Sequence, residues 1–292
     1  MRVLVCGGHG FVGRYLCAAL VHAGHDPVVR SRRSQPALDY TQATTVADWL
    51  PHLAGIDAVI NAVGALRDTP QQSLSALHTE APIALFDACA QLGIQRIVQI
   101  SALGITNSAT RYASTKRAAD AHLLSLNAQG ATRGVVVRPS MIFGAGGAST
   151  DLFVQLAKLP LLLLPDAAQR CPIQPVAVRD LAQAVVQLLN QPCLDAVVEL
   201  GGPHALPMGD LIASLRAQMG KRPAATVALP AWISRWSARI GDQLPQLPWC
   251  SDTLSMLQTP NTCDPGTLRA LLSSPPVPAD ALYATVHTPS AL

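Results

Sequence analysis

Charge is scarce in this 292-residue sequence: acidic and basic residues together make up 13%, and the formal net charge is only +3. The 21 basic residues are scattered apart from a short cluster at Arg30, Arg32 and Arg33, which excludes an electrostatic stripe for nucleic acid. Long hydrophobic runs are missing too. The most apolar stretch, Leu159 to Pro165, is far shorter than the roughly 20 residues of a membrane span, so no transmembrane segment is expected. The seven cysteines form no C-x-x-C pair and no zinc-like Cys/His spacing, and are read as reduced thiols of a cytoplasmic protein with no metal site. Residues 2–6 run directly into a glycine-rich turn, leaving no room there for a signal peptide. Internal repeats and low-complexity tracts are absent.

What is present is apolar. Hydrophobic residues make up 49% of the chain, a composition suited to buried strands between apolar helices. Short apolar runs at Val3–Cys6, Val28–Arg30, Ala58–Asn61, Arg96–Ile100, Val135–Arg138 and Val197–Leu200 read as strands, separated by helical stretches. Between Phe11 and Ala23, a helix places Leu16, Ala19, Leu20 and Ala23 on one face and stops at Gly24; a second, near Pro82–Gln91, stops at Gly93. This alternation predicts an α/β fold with a doubly wound parallel sheet, whose ligands bind beyond the carboxyl ends of the strands. After Gly201-Gly202 the pattern turns helical, with helices over Met208–Met219 and Pro230–Ile240 and an irregular tail beyond Gln246. The expected organisation is a dinucleotide-binding Rossmann domain over 1–200, with substrate-side insertions after 143, and a smaller, mainly helical cap lobe over 201–292.

Gly7, Gly10 and Gly13 follow the first strand and open the first helix. In that context Gly7 permits a tight turn and Gly10 lets the backbone approach a pyrophosphate. Gly13 allows close helix–strand packing, while the helix N-terminus attracts the anion. An NAD site of this kind usually carries an acid after the second strand, but no acid lies between Asp26 and Asp39. The second strand ends instead in Arg30-Ser31-Arg32-Arg33, whose guanidinium groups suit a 2′-phosphate. NADP(H) is therefore expected ahead of NAD(H).

The ordered motifs Gly7-Gly8-His9-Gly10-Phe11-Val12-Gly13, Asn61-Ala62-Val63-Gly64, Ile100-Ser101-Ala102-Leu103-Gly104, Tyr112-Ala113-Ser114-Thr115-Lys116, Arg138-Pro139-Ser140-Met141-Ile142-Phe143-Gly144 and Gln174-Pro175-Val176-Ala177-Val178-Arg179-Asp180 resemble a known family. The chain looks like the atypical extended short-chain dehydrogenases similar to the 39-kDa accessory subunit of respiratory complex I, over roughly residues 1 to 220. That likeness implies that Asp39, after a shortened third strand, contacts adenine, and that Ala62, Val63 and Gly64 lie along the ribose. It implies further that Pro139, Ser140 and Ile142 approach the nicotinamide. Phe11, Val12 and Ser101 complete the implied cofactor set.

Tyr112 and Lys116 stand four residues apart, on one face of a helix. In the family mechanism the lysine holds the nicotinamide ribose and the tyrosine exchanges a proton with a carbonyl or alcohol. The sequence departs from the family tetrad at two places: Ala102 or Leu103 stands near the expected hydroxyl, with Ser101 as a partial substitute, and His78 stands where asparagine is expected. These departures leave open a reductase of a small or hydrophobic carbonyl, a structural or regulatory protein that holds NADP(H) without turnover, and a nucleotide-sugar epimerase or dehydratase. In the C-terminal lobe, Trp232, Ile233, Trp236 and Ile240 share a helical face beside Arg235 and Arg239. Such a stripe is usually core, so packing inside the lobe is expected ahead of an apolar substrate, a protein partner or a membrane surface.

Overall fold

A computed structural model describes residues 1–31, 34–69, 72–191, 196–243 and 249–287. Arg32 and Arg33, two of the three expected phosphate ligands, lie outside the described residues.

The first half alternates as its apolar runs predict: β1 (Arg2–Cys6), α1 (Phe11–His22), β2 (Asp26–Arg30), α2 (Val46–Leu53), β3 (Ala58–Asn61), α3 (Ala81–Gln91), β4 (Arg96–Ile100), α4 (Arg111–Ala128) and β5 (Val135–Pro139). Helix α1 buries Gly13, Leu16, Cys17 and Leu20, whereas Ala23 is exposed, so the buried stripe is turned toward Gly13 and Cys17. Gly24 and Gly93 follow helices at φ +77° and +72°, the left-handed stops expected of them. Helix α2 was not foreseen. Its start is fixed by Thr45 and Asp48, whose side chains close a reciprocal capping box, and by Trp49, fully buried with its indole N–H on the Ala43 carbonyl at 2.9 Å.

The chain continues through β6 (Ile142–Phe143), α5 (Ala148–Lys158), β7 (Leu161–Pro165), α6 (Asp166–Arg170), β8 (Pro172–Ile173), β9 (Val176–Ala177), α7 (Val178–Asn190) and β10 (Val197–Leu200). After these come β11 (Leu206–Pro207), α8 (Met208–Gln218), β12 (Ala225–Leu229), α9 (Ala231–Asp242), α10 (Ser251–Met256), α11 (Pro265–Leu271) and α12 (Ala284–His287). The tail expected to be irregular thus carries short helices. Local caps hold two of them: Thr253 and Cys250 on α10, and Asp264 accepting from the Gly266 amide on α11.

Six of the described strands form one sheet in the order β10-β5-β4-β3-β1-β2, with β1 parallel to both β2 and β3, and the others pair as β11-β8, β12-β7 and β6-β9. The winding reverses at β1, so the crevice beyond its carboxyl end is the place where a Rossmann sheet takes a ligand. Among the described residues, internal contacts divide the chain into two compact units, one drawn from 1–138 and 182–198, the other from 139–181 and 199–287. They are interleaved in sequence.

The first unit has a core of Leu4, Trp49, Leu53, Val59, Leu85, Phe86, Ile97 and Leu123. The second has its own, built from Phe143, Phe153, Leu162, Leu164, Leu211, Leu215 and Leu282. Each full burial of such an aliphatic or aromatic side chain contributes about 1.5–3 kcal/mol. The tryptophan stripe does not join this second core. Trp232 and Trp236 are 67% and 64% exposed, and α9 packs inward through Ser234, Ala238 and Gly241 instead. The expectation of a buried stripe is corrected. Periodicity identified the face; the small residues opposite it decided which face packs.

Candidate dinucleotide and catalytic site

The glycine turn leaves little space for any side chain. Gly7 sits at φ +76°, and a Cβ on Gly13 would stand 2.1 Å from the Gly7 carbonyl oxygen and 2.6 Å from the Gly8 Cα. No larger residue fits at position 13, so strand and helix stay in contact there. The Gly10 amide donates to the Gly7 carbonyl at 2.8 Å, and the Gly10 carbonyl accepts the first helical bond from Arg14. That leaves the amides of Phe11, Val12 and Gly13 in the first turn of α1, which carries no acid, as donors for an anion.

Around this turn lies a cleft of about 330 Å³ whose lining includes Gly7, Gly10, Arg30, Asp39, Tyr40 and Val63. Asp39 follows β2 rather than a third strand, and its Oδ1 accepts from the Thr41 amide and hydroxyl at 2.9 and 2.8 Å. Arg30 donates through Nη1 to the Gln35 carbonyl at 3.2 Å, while its buried Nε has no hydrogen-bond partner. Arg14 was missed by sequence reasoning: its Nε too is buried and without a hydrogen-bond partner, one residue past the glycine motif. A narrow glycine cradle, free helix amides and unsatisfied guanidinium groups fit a dinucleotide diphosphate.

The proton-handling residues are assembled on α4. Thr110 caps the helix by accepting from the Ala113 amide at 3.2 Å, and the next turns place Tyr112, Lys116 and Asp120 at four-residue spacing along one face. Lys116 is buried; its ammonium donates to the carbonyls of Ile100 at 2.9 Å and Val63 at 3.3 Å. Two of its three N–H groups are thereby engaged. Burial lowers the Lys116 pKa to about 8, opposed by the Asp120 carboxylate. Burial and Asp120 push the Tyr112 phenol up to about 12, keeping it protonated.

Gly64 lies beside this convergence: a Cβ there would stand at ordinary contact distance from Lys116 Nζ, 3.5 Å, and from His78 Nε2, 3.7 Å. His78 sits in a single π-helical turn, Ala76–Glu80, that leads into α3. Its Nε2 accepts the Ala65 amide at 3.1 Å, which leaves the proton on Nδ1, facing the Thr115 hydroxyl at 3.2 Å. Burial and the Lys116 cation lower the His78 pKa to about 3, so the ring is neutral near pH 7. With both nitrogens occupied, His78 positions backbone and the Tyr112 ring in this structure. Ser101 is likewise committed: its hydroxyl donates to Asp120 Oδ2 at 2.8 Å, and Asp120 also accepts from Arg138 at 3.2 Å.

In the second unit, Pro139 ends β5, Ser140 is buried with its hydroxyl donating to the Asn261 carbonyl at 3.0 Å, and Ile142 pairs with Val176 between β6 and β9. Among the described residues no cluster of His, Cys, Asp and Glu could hold a metal ion, and no helix is long and apolar enough to cross a membrane.

Comparison with known proteins agrees with this geometry. An uncharacterized chloroplastic protein of Arabidopsis thaliana is 30% identical over 216 residues, 65% of this chain and 71% of that one. A 2-alkyl-3-oxoalkanoate reductase of Stenotrophomonas maltophilia is 27% identical over 259 residues, 75% of this chain and 76% of the reductase. Among solved structures, RMD from Pseudomonas aeruginosa complexed with NADPH superposes with a TM-score of 0.69 at 18% identity, covering 98% of this chain and 97% of that one. A likeness at that identity concerns the fold. Residues 3–200, which hold the glycine cradle, Tyr112 and Lys116, match the family described as NAD dependent epimerase/dehydratase, and the chain belongs to that nicotinamide-dinucleotide-binding family.

Proposed function

We propose that the protein is an NADP(H)-dependent reductase of a small or hydrophobic carbonyl compound, with Tyr112 as the acid/base and Lys116 as the ribose anchor. The observation that carries this reading is the Tyr112–Lys116 pair on α4: a protonated phenol, pushed up to about 12, four residues from a buried lysine lowered to about 8. NADP(H), when bound, supplies the hydride. Gly7, Gly10 and the first turn of α1 hold the diphosphate in this reading, and Arg30, Arg32 and Arg33 the 2′-phosphate. Asp39 holds the adenine side, and Ala62 to Gly64 the ribose.

The chain's own chemistry then concerns one proton. A raised Tyr112 pKa suits reduction, because the phenol keeps its proton until negative charge develops on the substrate oxygen nearby. Lys116 keeps a third N–H after bonding Val63 and Ile100, enough to hold a hydroxyl of the ribose, and its positive charge steadies the phenolate left after proton transfer. The named reductase relative supports a carbonyl substrate.

The second reading, NADP(H) held without turnover, is favoured by one observation: Ser101 is bonded to Asp120 and His78 to Ala65 and Thr115, so neither replaces the missing tetrad groups freely. The epimerase alternative draws on the description of the matched family, and no side chain of the site favours it over the other two. An NADPH-oxidation screen over aliphatic and aromatic ketones and 3-oxoacids, run with wild type and Tyr112→Phe, separates the two. Turnover by wild type that falls at least a hundred-fold in the variant, with NADPH affinity kept, is the expected result. Tight NADPH binding with no turnover on any carbonyl overturns the reductase reading.

A further inference from the structure

Helix α9 turns its largest side chains outward. Trp232, Trp236 and Ile240 are 67%, 64% and 43% exposed, while Ser234, Ala238 and Gly241 face the interior of the second unit. A Cβ on Gly241 would stand 2.0 Å from the Trp249 carbonyl oxygen, so only glycine fits at that contact. The helix is held with its small face inward, and it cannot roll to cover its tryptophans without breaking that contact.

Arg235 and Arg239 lie on the same exposed face, which at helical spacing reads Trp232, Arg235, Trp236, Arg239, Ile240. Neither guanidinium has a hydrogen-bond or ion-pair partner among the described residues. Both line a cleft of about 240 Å³ with Ser251, Leu254, Ser255 and Gln258. The acid at the end of the helix, Asp242, is turned to Ser251, accepting its amide at 2.8 Å and its hydroxyl at 2.6 Å.

From this face we infer that α9 docks on an anionic phospholipid surface, with Trp232, Trp236 and Ile240 entering the boundary between headgroups and acyl chains and Arg235 and Arg239 meeting lipid phosphates. Tryptophan favours that boundary, where one edge of its ring stays wet, and a helix bearing basic and aromatic groups lies along it. The other occupants fit less well. A second copy of this chain, related by a two-fold axis, would set Arg235 and Arg239 against the same cations. A free phosphate would use the arginines and leave both tryptophans in water. The inference uses the second unit alone and is independent of the reductase reading.

The test is flotation of the full chain with vesicles of phosphatidylcholine, alone or containing about a third phosphatidylglycerol, a composition chosen for its negative surface potential. Wild type is expected to float with the anionic vesicles only, with a blue shift of tryptophan emission. R235Q/R239Q should weaken that partition roughly thirty-fold, about 1 kcal/mol for each arginine. W232S/W236S should remove the emission shift, and both doubles should melt as wild type does, because the changed side chains are exposed. Absence of flotation, or flotation unchanged by either double, overturns the inference. So does protection by inorganic phosphate without vesicle binding, which marks a free-anion site, or a dimer split by W232S/W236S without vesicle binding, which marks a self-association face.

Discussion

His78 stands edge-on to Tyr112, the two ring centroids 5.4 Å apart and the planes at 85°. The imidazole also holds the Ala65 amide, so one buried side chain fixes both the loop after β3 and the face of the phenol. It does so as a neutral ring.

That neutrality makes the protein acid-sensitive. A histidine whose pKa falls from 6.5 to about 3 on folding binds more protons unfolded than folded between those values, so stability is lost as pH drops through that window. The loss from this residue is about 1.5 kcal/mol between pH 6.5 and 5. Urea unfolding at the two pH values measures it. His78→Gln should lower stability at pH 7 by about 1–3 kcal/mol, through imperfect pairing of the Ala65 amide, yet show a flatter decline toward pH 5. An equal decline in both proteins would contradict the assignment.

Lys116 predicts the opposite limb. Its pKa is lowered from 10.5 to about 8, so the folded protein sheds a proton before the unfolded chain does, and stability rises with pH between those values. From pH 7.5 to 9.5 the gain is about 2 kcal/mol. Lys116→Met should lack this increment in cofactor-free protein while losing turnover. A variant whose melting temperature tracks wild type over that range would show that Lys116 is not desolvated.

Much of this architecture was legible because its signals are local. Gly7, Gly10 and Gly13 follow an apolar run directly, and the runs at Ala58–Asn61 and Arg96–Ile100 are the strands themselves. Helix α2 had a readable start in Thr45 and Asp48, although Pro51 inside it obscured the pattern. The Ser101–Asp120 bond was not legible, since it joins residues 19 positions apart and depends on how β4 packs beside α4. The orientation of α9 escaped for a related reason: the contact between Gly241 and Trp249 outranks the hydrophobicity of the tryptophans, and only tertiary packing reveals it.

Arg30 makes the cofactor preference testable. It lines the cleft beside the glycine turn with Nε unsatisfied, and an arginine there can bond a 2′-phosphate that NADH lacks. Arg30→Ala should weaken NADPH binding about ten-fold or more, the loss of one or two charge-assisted bonds, and leave NADH nearly unchanged. Calorimetric titration of both nucleotides distinguishes this from general damage, which would weaken the two alike.

The cradle itself admits a sharper test at Gly13. A methyl group there would stand 2.1 Å from the Gly7 carbonyl and 2.6 Å from the Gly8 Cα, both backbone atoms that cannot rotate away. Gly13→Ala must therefore push α1 off the turn, costing about 1–3 kcal/mol of stability and moving the amides of Phe11 and Val12 away from the diphosphate. Binding of NADPH and NADH should fall together, unlike the selective loss at Arg30.

Asp120 offers the last test, because one carboxylate serves four neighbours. Its Oδ2 accepts from Ser101 and Arg138, its Oδ1 is buried without a hydrogen-bond partner, and its charge raises the pKa of both Lys116 and Tyr112. Asp120→Asn keeps the shape and removes the charge. Lys116 should then fall below about 8 and the Tyr112 phenol below about 12, so the alkaline fall in turnover, if Lys116 must be charged, moves to lower pH. Stability should drop by about 3–5 kcal/mol, since Arg138 is left largely buried and without its counter-charge. A second variant, Arg138→Met with Asp120→Asn, removes the stranded cation and should recover part of that loss while keeping the shifted pH profile. Recovery of stability with a wild-type profile would show that Asp120 anchors Arg138 and does not tune Lys116.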